Sequence, residues 1–391
     1  MVAPVAAVRP EPLVTPFEVA AGQAFGEEEV PPFPQPRGRP VEALEVVLSR
    51  ALERPPCVVA FSGGRDSSAL LALATRVARR EGHEPPIAVT QYFPGAPDSD
   101  EREWQELVIR HLELRDWERL ERGVELDLVG PIAAPALRSH GALYPSNAHF
   151  LLPIMELARG GSVVTGVDGD IVFGGWDLVT LGDVRGRRRP PRARDVAFAA
   201  VHLSPAPLRK AVMRRRRPSR RMPWLTESAQ RELDERRLRH VMIQPPRFDA
   251  FVRWAATRRM SVLMERQFDR IAAGSGTELV HPLLDPGFRA AYAAAGGRDG
   301  FGDRTSTMEA LFGDLLPERL VARPTKAGFD AVYLSEHTRA LVRSWDGTGF
   351  DPAVVDAEAL HREWQLPVPS FRTGMLIQQL WVDRAFAGSS A

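Results

Sequence analysis

The run Cys57-Val58-Val59-Ala60-Phe61 passes without a spacer into Ser62-Gly63-Gly64-Arg65-Asp66-Ser67-Ser68 and then into "ALLALATRVARREG". A short apolar run ended by two glycines and followed at once by a helical repeat reads as a buried strand, a tight loop and a helix closing at Gly82. Upstream, "VEALEVVLSRALER" sets Val41, Leu44, Val47, Leu48, Ala51 and Leu52 at helical spacing before Pro55-Pro56 stops it. Downstream come a second strand in "PIAVTQYFPG", an amphipathic stretch in "DSDEREWQELVIRHLEL" and a short strand running into a second glycine loop, "SVVTGVDGDIVFGGW". Strands that alternate with helices of this length pair in parallel. The expected fold is therefore α/β, an open twisted parallel sheet with helices on both faces, followed by a largely helical C-terminal half.

Four segments follow from composition. Residues 1–40 hold nine prolines and read as a proline-rich arm that sustains neither a helix nor a central strand. Residues 41–182 form the α/β core. Residues 183–221 carry thirteen arginines and one lysine against two aspartates and are broken by proline. Residues 222–391 are the mostly helical remainder. The 391-residue chain is 44% hydrophobic and 26% charged, with a net charge of +1, an ordinary globular balance. No apolar stretch approaches the roughly 20 residues of a membrane-spanning helix, and no signal peptide is visible, so a cytoplasmic protein is expected. The single cysteine, Cys57, excludes an internal disulfide and a cysteine metal cluster and reads as a small apolar filler.

A strand ending in Ser-Gly-Gly and turning into a helix aims backbone N–H groups and the positive helix end at one point, which favours an anion, phosphate above all. Gly63 and Gly64 admit oxygens close to the backbone, and Ser62, Ser67 and Ser68 can donate further hydrogen bonds. Asp66 would repel phosphate unless a cation lay between them, and Mg²⁺ resolves that conflict. A serine-rich helix cap would use the same serines, yet it leaves Asp66 without a purpose.

The motif "SGGRDSS" resembles the pyrophosphate loop of the N-type ATP pyrophosphatases, most closely the synthetase domain of asparagine synthetases, β-lactam synthetases and lasso-peptide cyclases. "TGVDGDIVFGGW" is similar to that family's second loop, "VHPLLDPGF" to its Pro-x-Leu-Asp segment, and "LLPERLVARPTKAGF" to the stretch with its catalytic lysine. The resemblance implies an adenine-nucleotide α-hydrolase-like sheet and ATP with Mg²⁺ as cofactors. It places Gly166 and Asp170 on the nucleotide with the first loop, and Lys326 in the catalytic role. Val89, in the second strand, is counted among the nucleotide-facing residues. Asp66 and Asp170, one per loop, are the expected metal ligands; a turn role for Asp170 stays open. Only Lys210 and Lys326 are lysines among 51 basic residues, so a lysine kept at 326 suggests that a compact point charge is needed there.

Departures from the family narrow the reaction. Nothing before residue 41 would build a glutaminase domain, so glutamine hydrolysed on this chain is not the expected amine source. Val167 and Ile171 stand where ammonia-using members have glutamates, which argues against asparagine synthesis. The expected reaction is AMP-forming ligation of a carboxylate to an amine on a small-molecule or peptide substrate, with an intramolecular macrolactam as its sharpest version. A peptide-binding partner protein is an open addition. Tyr144, His149 and Glu309 are candidate bases. Two rivals remain: a tRNA-modifying adenylating enzyme, which the arginine-rich segment would serve, and a non-catalytic nucleotide-binding scaffold. That segment has one aromatic, Phe198, too few for base stacking, so nucleic acid is the less expected partner and a solvated, partly disordered insertion the expected form.

Overall fold

A computed structural model describes residues 10–186, 188, 190–216, 221–325 and 327–387. Its centre is a five-stranded sheet: β1 Cys57–Ala60, β2 Ile87–Tyr92, β3 Trp117–Glu121, β4 Ser162–Val164 and β5 Glu278–Val280. The spatial order is β3-β2-β1-β4-β5, and every neighbouring pair is parallel. The chain winds outward from β1 through β2 to β3, then returns to lay β4 on the other side of β1. The reversal of order falls between β1 and β4, where open sheets of this kind leave a crevice beyond the strand ends.

Strand side chains alternate between two apolar layers because successive Cβ atoms point to opposite faces. Cys57, Val59, Phe61, Ala88 and Val164 face the layer made by the helices Pro40–Leu52 and Arg65–Glu81; Val58, Val89 and Val163 face the other. The helix Arg65–Glu81 runs from Gly64 to a left-handed Gly82, the stop read from the sequence. Two strands escaped that reading. β3, "WERLE", is an edge strand with three of five side chains exposed, and β5 is only three residues long. Because β5 lies in residues 222–391, the helical remainder also completes the sheet.

The proline-rich arm is corrected by the structure. Residues Pro16–Ala21 form a helix with Pro16 in its first turn, where a missing N–H costs nothing. Thr15 N–H donates to the Glu18 carboxylate at 2.9 Å and Glu18 N–H donates to Thr15 Oγ1 at 3.3 Å, a reciprocal cap. Val14, Val19, Ala20 and Ala21 are buried, and Arg259 clamps Glu18 at 3.1 Å and Glu28 at 2.6 Å. The stretch from Val14 to Ala24 thus contributes to the core, while residues 34–39 stay exposed.

The arginine-rich segment also differs from expectation, since it contains the helices Ala193–Leu203 and Ala206–Arg216. Arg209 donates to the His202 and Met242 carbonyls, and Lys210 lies 3.4 Å from Glu235 on the helix Glu227–Ile243. These two cations are met by carbonyls and an acid, with Leu203 and Leu208 left exposed.

Near the other end of the chain, the helix Gly374–Ala387 carries the buried Gln378. Its amide accepts from Leu143 N–H at 3.0 Å and donates to the carbonyls of Leu128 at 3.0 Å and Ser146 at 2.7 Å. Among the described residues no helix is long and apolar enough to cross a membrane.

Candidate active site

Two loops open at the carboxyl ends of β1 and β4. In the first, Gly63 sits at φ 85°, a conformation L side chains avoid, and a Cβ there would meet Gln105 Cγ at 2.8 Å. Gly64 begins the helix Arg65–Glu81 without a side-chain cap. Ser68 N–H makes the first helical bond, to Gly64 O at 3.0 Å, so the N–H groups of Arg65, Asp66 and Ser67 have no acceptor within the helix. These three donors, on a 17-residue helix, stand at the place where the glycines led us to expect an anion. Ser67 Oγ accepts from Ser62 N–H at 3.3 Å and lies 3.2 Å from Gly64 O, which holds the turn closed. Gln105 donates to Ser62 O at 3.1 Å and Arg323 to Gly63 O at 3.3 Å.

The second loop is tethered from a distance. Asp168 adopts φ 68°, and its buried carboxylate accepts from Arg289 at 2.6 Å and from Ser261 Oγ at 3.3 Å. Burial pushes the Asp168 carboxyl up against the pull of Arg289. Thr165 Oγ1 lies 2.6 Å from His281 Nδ1, and burial holds that imidazole down to about 4. Gly166 and Gly169 let the loop touch the first one. A Cβ on Gly166 would come within 3.3 Å of Ser67 N, and one on Gly169 within 2.4 Å of Asp66 Oδ2.

Asp66 and Asp170 are brought onto one cation, the guanidinium of Arg304, which reaches Asp66 Oδ2 at 2.6 Å and hydrogen-bonds Asp170 Oδ1. Burial raises the Asp66 carboxyl despite Arg304, and its Oδ1 is buried with no partner in the structure. Arg304 was missed in the sequence. It opens the helix Arg304–Phe312, 238 residues beyond Asp66, in text that reads only as an aspartate-capped helix start.

The loops border a cleft of about 380 Å³ with Phe93, Phe150, Phe329 and Tyr333 on its walls. Ser62, Gly64, Asp66, Ser67, Val89, Gly166 and Asp170 line it. Two predicted residues do not. Gly63 shapes the turn from behind, and Ser68 points into the core, fully buried, its hydroxyl unpartnered. Lys326 lies outside the described residues, while Arg323, Thr325 and Ala327 around it line the cleft. Arg323 forms a buried ion pair with Glu101, and Gly328 N–H donates to Asp98 O at 3.0 Å.

Of the three candidate bases, His149 is completely buried, with Nε2 against Leu126 O at 2.9 Å, and burial lowers its pKa. Glu309 is exposed on the outer side of its helix. Neither borders the cleft, so both are set aside. Tyr144 is raised by burial and lines an adjoining cavity. Asp285 of the Pro-x-Leu-Asp segment caps the helix Pro286–Gly296, accepting from Phe288 N–H at 2.8 Å.

No group of three or more His, Cys, Asp or Glu side chains that could hold a metal occurs among the described residues. The residues present nevertheless fit Mg²⁺, an ion that takes one or two carboxylates and completes its shell with phosphate and water oxygens. Asp66 and Asp170 would hold it, and the orphaned Asp66 Oδ1 faces no competing partner.

The family model for asparagine synthase matches residues 43–382. No curated protein matches. Among solved structures, the NAD+ synthetase of Burkholderia pseudomallei is similar at 18% identity and a TM-score of 0.23, over 43% of this chain and 65% of that one, so this chain spans less than two thirds of its length.

Proposed function

Because the chain belongs to the asparagine synthase family, a family of ATP-dependent amide-forming ligases, we propose that it activates a substrate carboxylate as its adenylate and joins it to an amine of an amino-acid-derived or peptide substrate. The observation that carries this reading is the convergence of Asp66 and Asp170, from loops on adjacent strands, beside the free N–H groups of a helix start. The N–H groups of Arg65, Asp66 and Ser67 bind the phosphate chain. Bound Mg²⁺ supplies neutralisation of the leaving pyrophosphate's charge. Arg304, which pairs with both carboxylates, would contribute positive charge to the same region. Lys326, by its resemblance to the family's lysine, stabilises charge developing at the reacting phosphorus.

Val167 borders the cleft as an apolar wall, which supports an amine delivered on the substrate rather than as free ammonia. Holding both reacting groups on one molecule would supply several kcal/mol through effective molarity. The macrolactam version is the intramolecular limit of that argument.

The test is pyrophosphate release from ATP and Mg²⁺ with a pool of amino acids and short peptides. Turnover is expected, and Asp66→Asn or Lys326→Met should lower it by about a thousandfold, roughly 4 kcal/mol of transition-state stabilisation, with the melting temperature retained. Turnover that requires RNA would replace this reading with an RNA-adenylating one. Full activity in either variant would overturn the site assignment.

A further inference from the structure

A second cavity, of about 670 Å³, opens on the far side of the second loop and shares Asp66, Gly166, Val167 and Asp170 with the nucleotide cleft. Whatever fills it presents one end to the line of residues where the phosphate chain is expected.

Its lining has a distinct chemistry. Three of the chain's nine methionines border it: Met260 and Met264, one turn apart on the helix Arg259–Ala272, and Met375 from the helix Gly374–Ala387. Phe371, Tyr144 and Ile171 add apolar surface, and Gly22 of the N-terminal segment closes one wall. Unbranched thioethers repack around bulky apolar groups of differing shape. Charge on the lining is one-sided, with Asp66, Asp168, Asp170 and Asp330 against Arg372. Asp168 is neutralised by Arg289, and Asp66 and Asp170 by Arg304. Asp330 is exposed at the start of the helix Asp330–Tyr333, and among the described residues its carboxylate has no hydrogen bond or ion pair.

We propose that this cavity is the amine-substrate pocket and that it selects an aminoacyl or peptidyl group with a large apolar side chain, Asp330 receiving the substrate's ammonium group. The inference rests on the ligase reading for the reaction it serves. The cleft would hold the anionic nucleotide among arginines, and the second cavity the cationic, apolar partner among methionines and a free carboxylate. Such a division sorts two substrates by charge on opposite sides of one loop.

The test measures binding by calorimetry or saturation-transfer NMR on the full chain, so that it does not depend on turnover. L-phenylalaninamide is expected to bind in the millimolar range. N-acetyl-L-phenylalaninamide, which lacks the charge, should bind about threefold to fivefold more weakly, the scale of an exposed ion pair. Glycinamide and 3-phenylpropionate should show no saturable binding. Asp330→Asn should abolish the difference between the first two probes, Met264→Trp should fill the pocket and abolish both, and ATP binding should persist in each variant. Equal binding of charged and acetylated probes to the native protein, or unaltered selectivity in Asp330→Asn, would overturn the pocket assignment even where ATP binds. Failure of ATP to bind, with probe selectivity intact, would instead remove the ligase reading.

Discussion

The two site loops do the same geometric job by opposite means. The turn after β1 is set mostly by its own residues: Gly63 supplies the left-handed φ, Ser67 folds back on Ser62 and Gly64, and a long helix follows. The turn after β4 leads into a helix of only six residues, and distant side chains hold its shape, Arg289 and Ser261 on Asp168 and His281 on Thr165. A loop of the first kind can be read from its text. One of the second kind depends on partners that arrive from more than ninety positions away.

That contrast is broken most forcefully at Arg289. Arg289→Met leaves the Asp168 carboxylate buried and unpaired, a change expected to cost about 3–5 kcal/mol in urea unfolding, and Asp168→Asn on top of it should restore much of the loss. Equal losses in the single and double variants would show that Asp168 does not tether the loop. A smaller effect comes through pH. The His281 imidazole, held down to about 4 by burial, must be neutral in the fold, whereas the unfolded side chain protonates near 6.5. The unfolded state therefore binds the extra proton between those values, and stability should fall by up to about 3 kcal/mol as pH drops from 6.5 to 4. His281→Gln should flatten that slope in melting temperatures; an unchanged slope would remove His281 as its source. Smallest is Gly63→Ala in the first loop, where the positive φ and the 2.8 Å approach to Gln105 should cost about 1–2 kcal/mol. A neutral result would show the turn to be less locally determined than its residues suggest.

The same division explains what the sequence disclosed. The strand, loop and helix from Cys57 to Gly82 were legible because neighbours in the chain create the pattern, and seven of the nine predicted nucleotide-facing residues reach the cleft. Ser68 was misplaced because a helix turns about 100° per residue, enough to carry one serine of a Ser-Ser pair into the core while the other faces out. Arg304 left no trace, since nothing in "DRTSTMEAL" distinguishes a guanidinium that will meet two carboxylates from one that will meet water. The helix Pro16–Ala21 was hidden for another reason. Counting prolines over forty residues averaged away the four-residue cap Thr15-Pro16-Phe17-Glu18, which is a start signal when read alone. β3 was lost because an edge strand with solvent on one side tolerates charges at most positions.

Gln378 extends this dependence to the order in which the molecule can be made. One amide side chain, more than 230 positions downstream, satisfies backbone groups at 128, 143 and 146, in the stretch between β3 and β4. During synthesis the sheet's first strands leave the ribosome long before that amide does, so the stretch between β3 and β4 waits, with one amide and two carbonyls unsealed, until residue 378 has emerged. A premature stop just upstream of 378 would strip all three bonds together, leaving a polypeptide with both site loops encoded and the stretch between β3 and β4 unsealed.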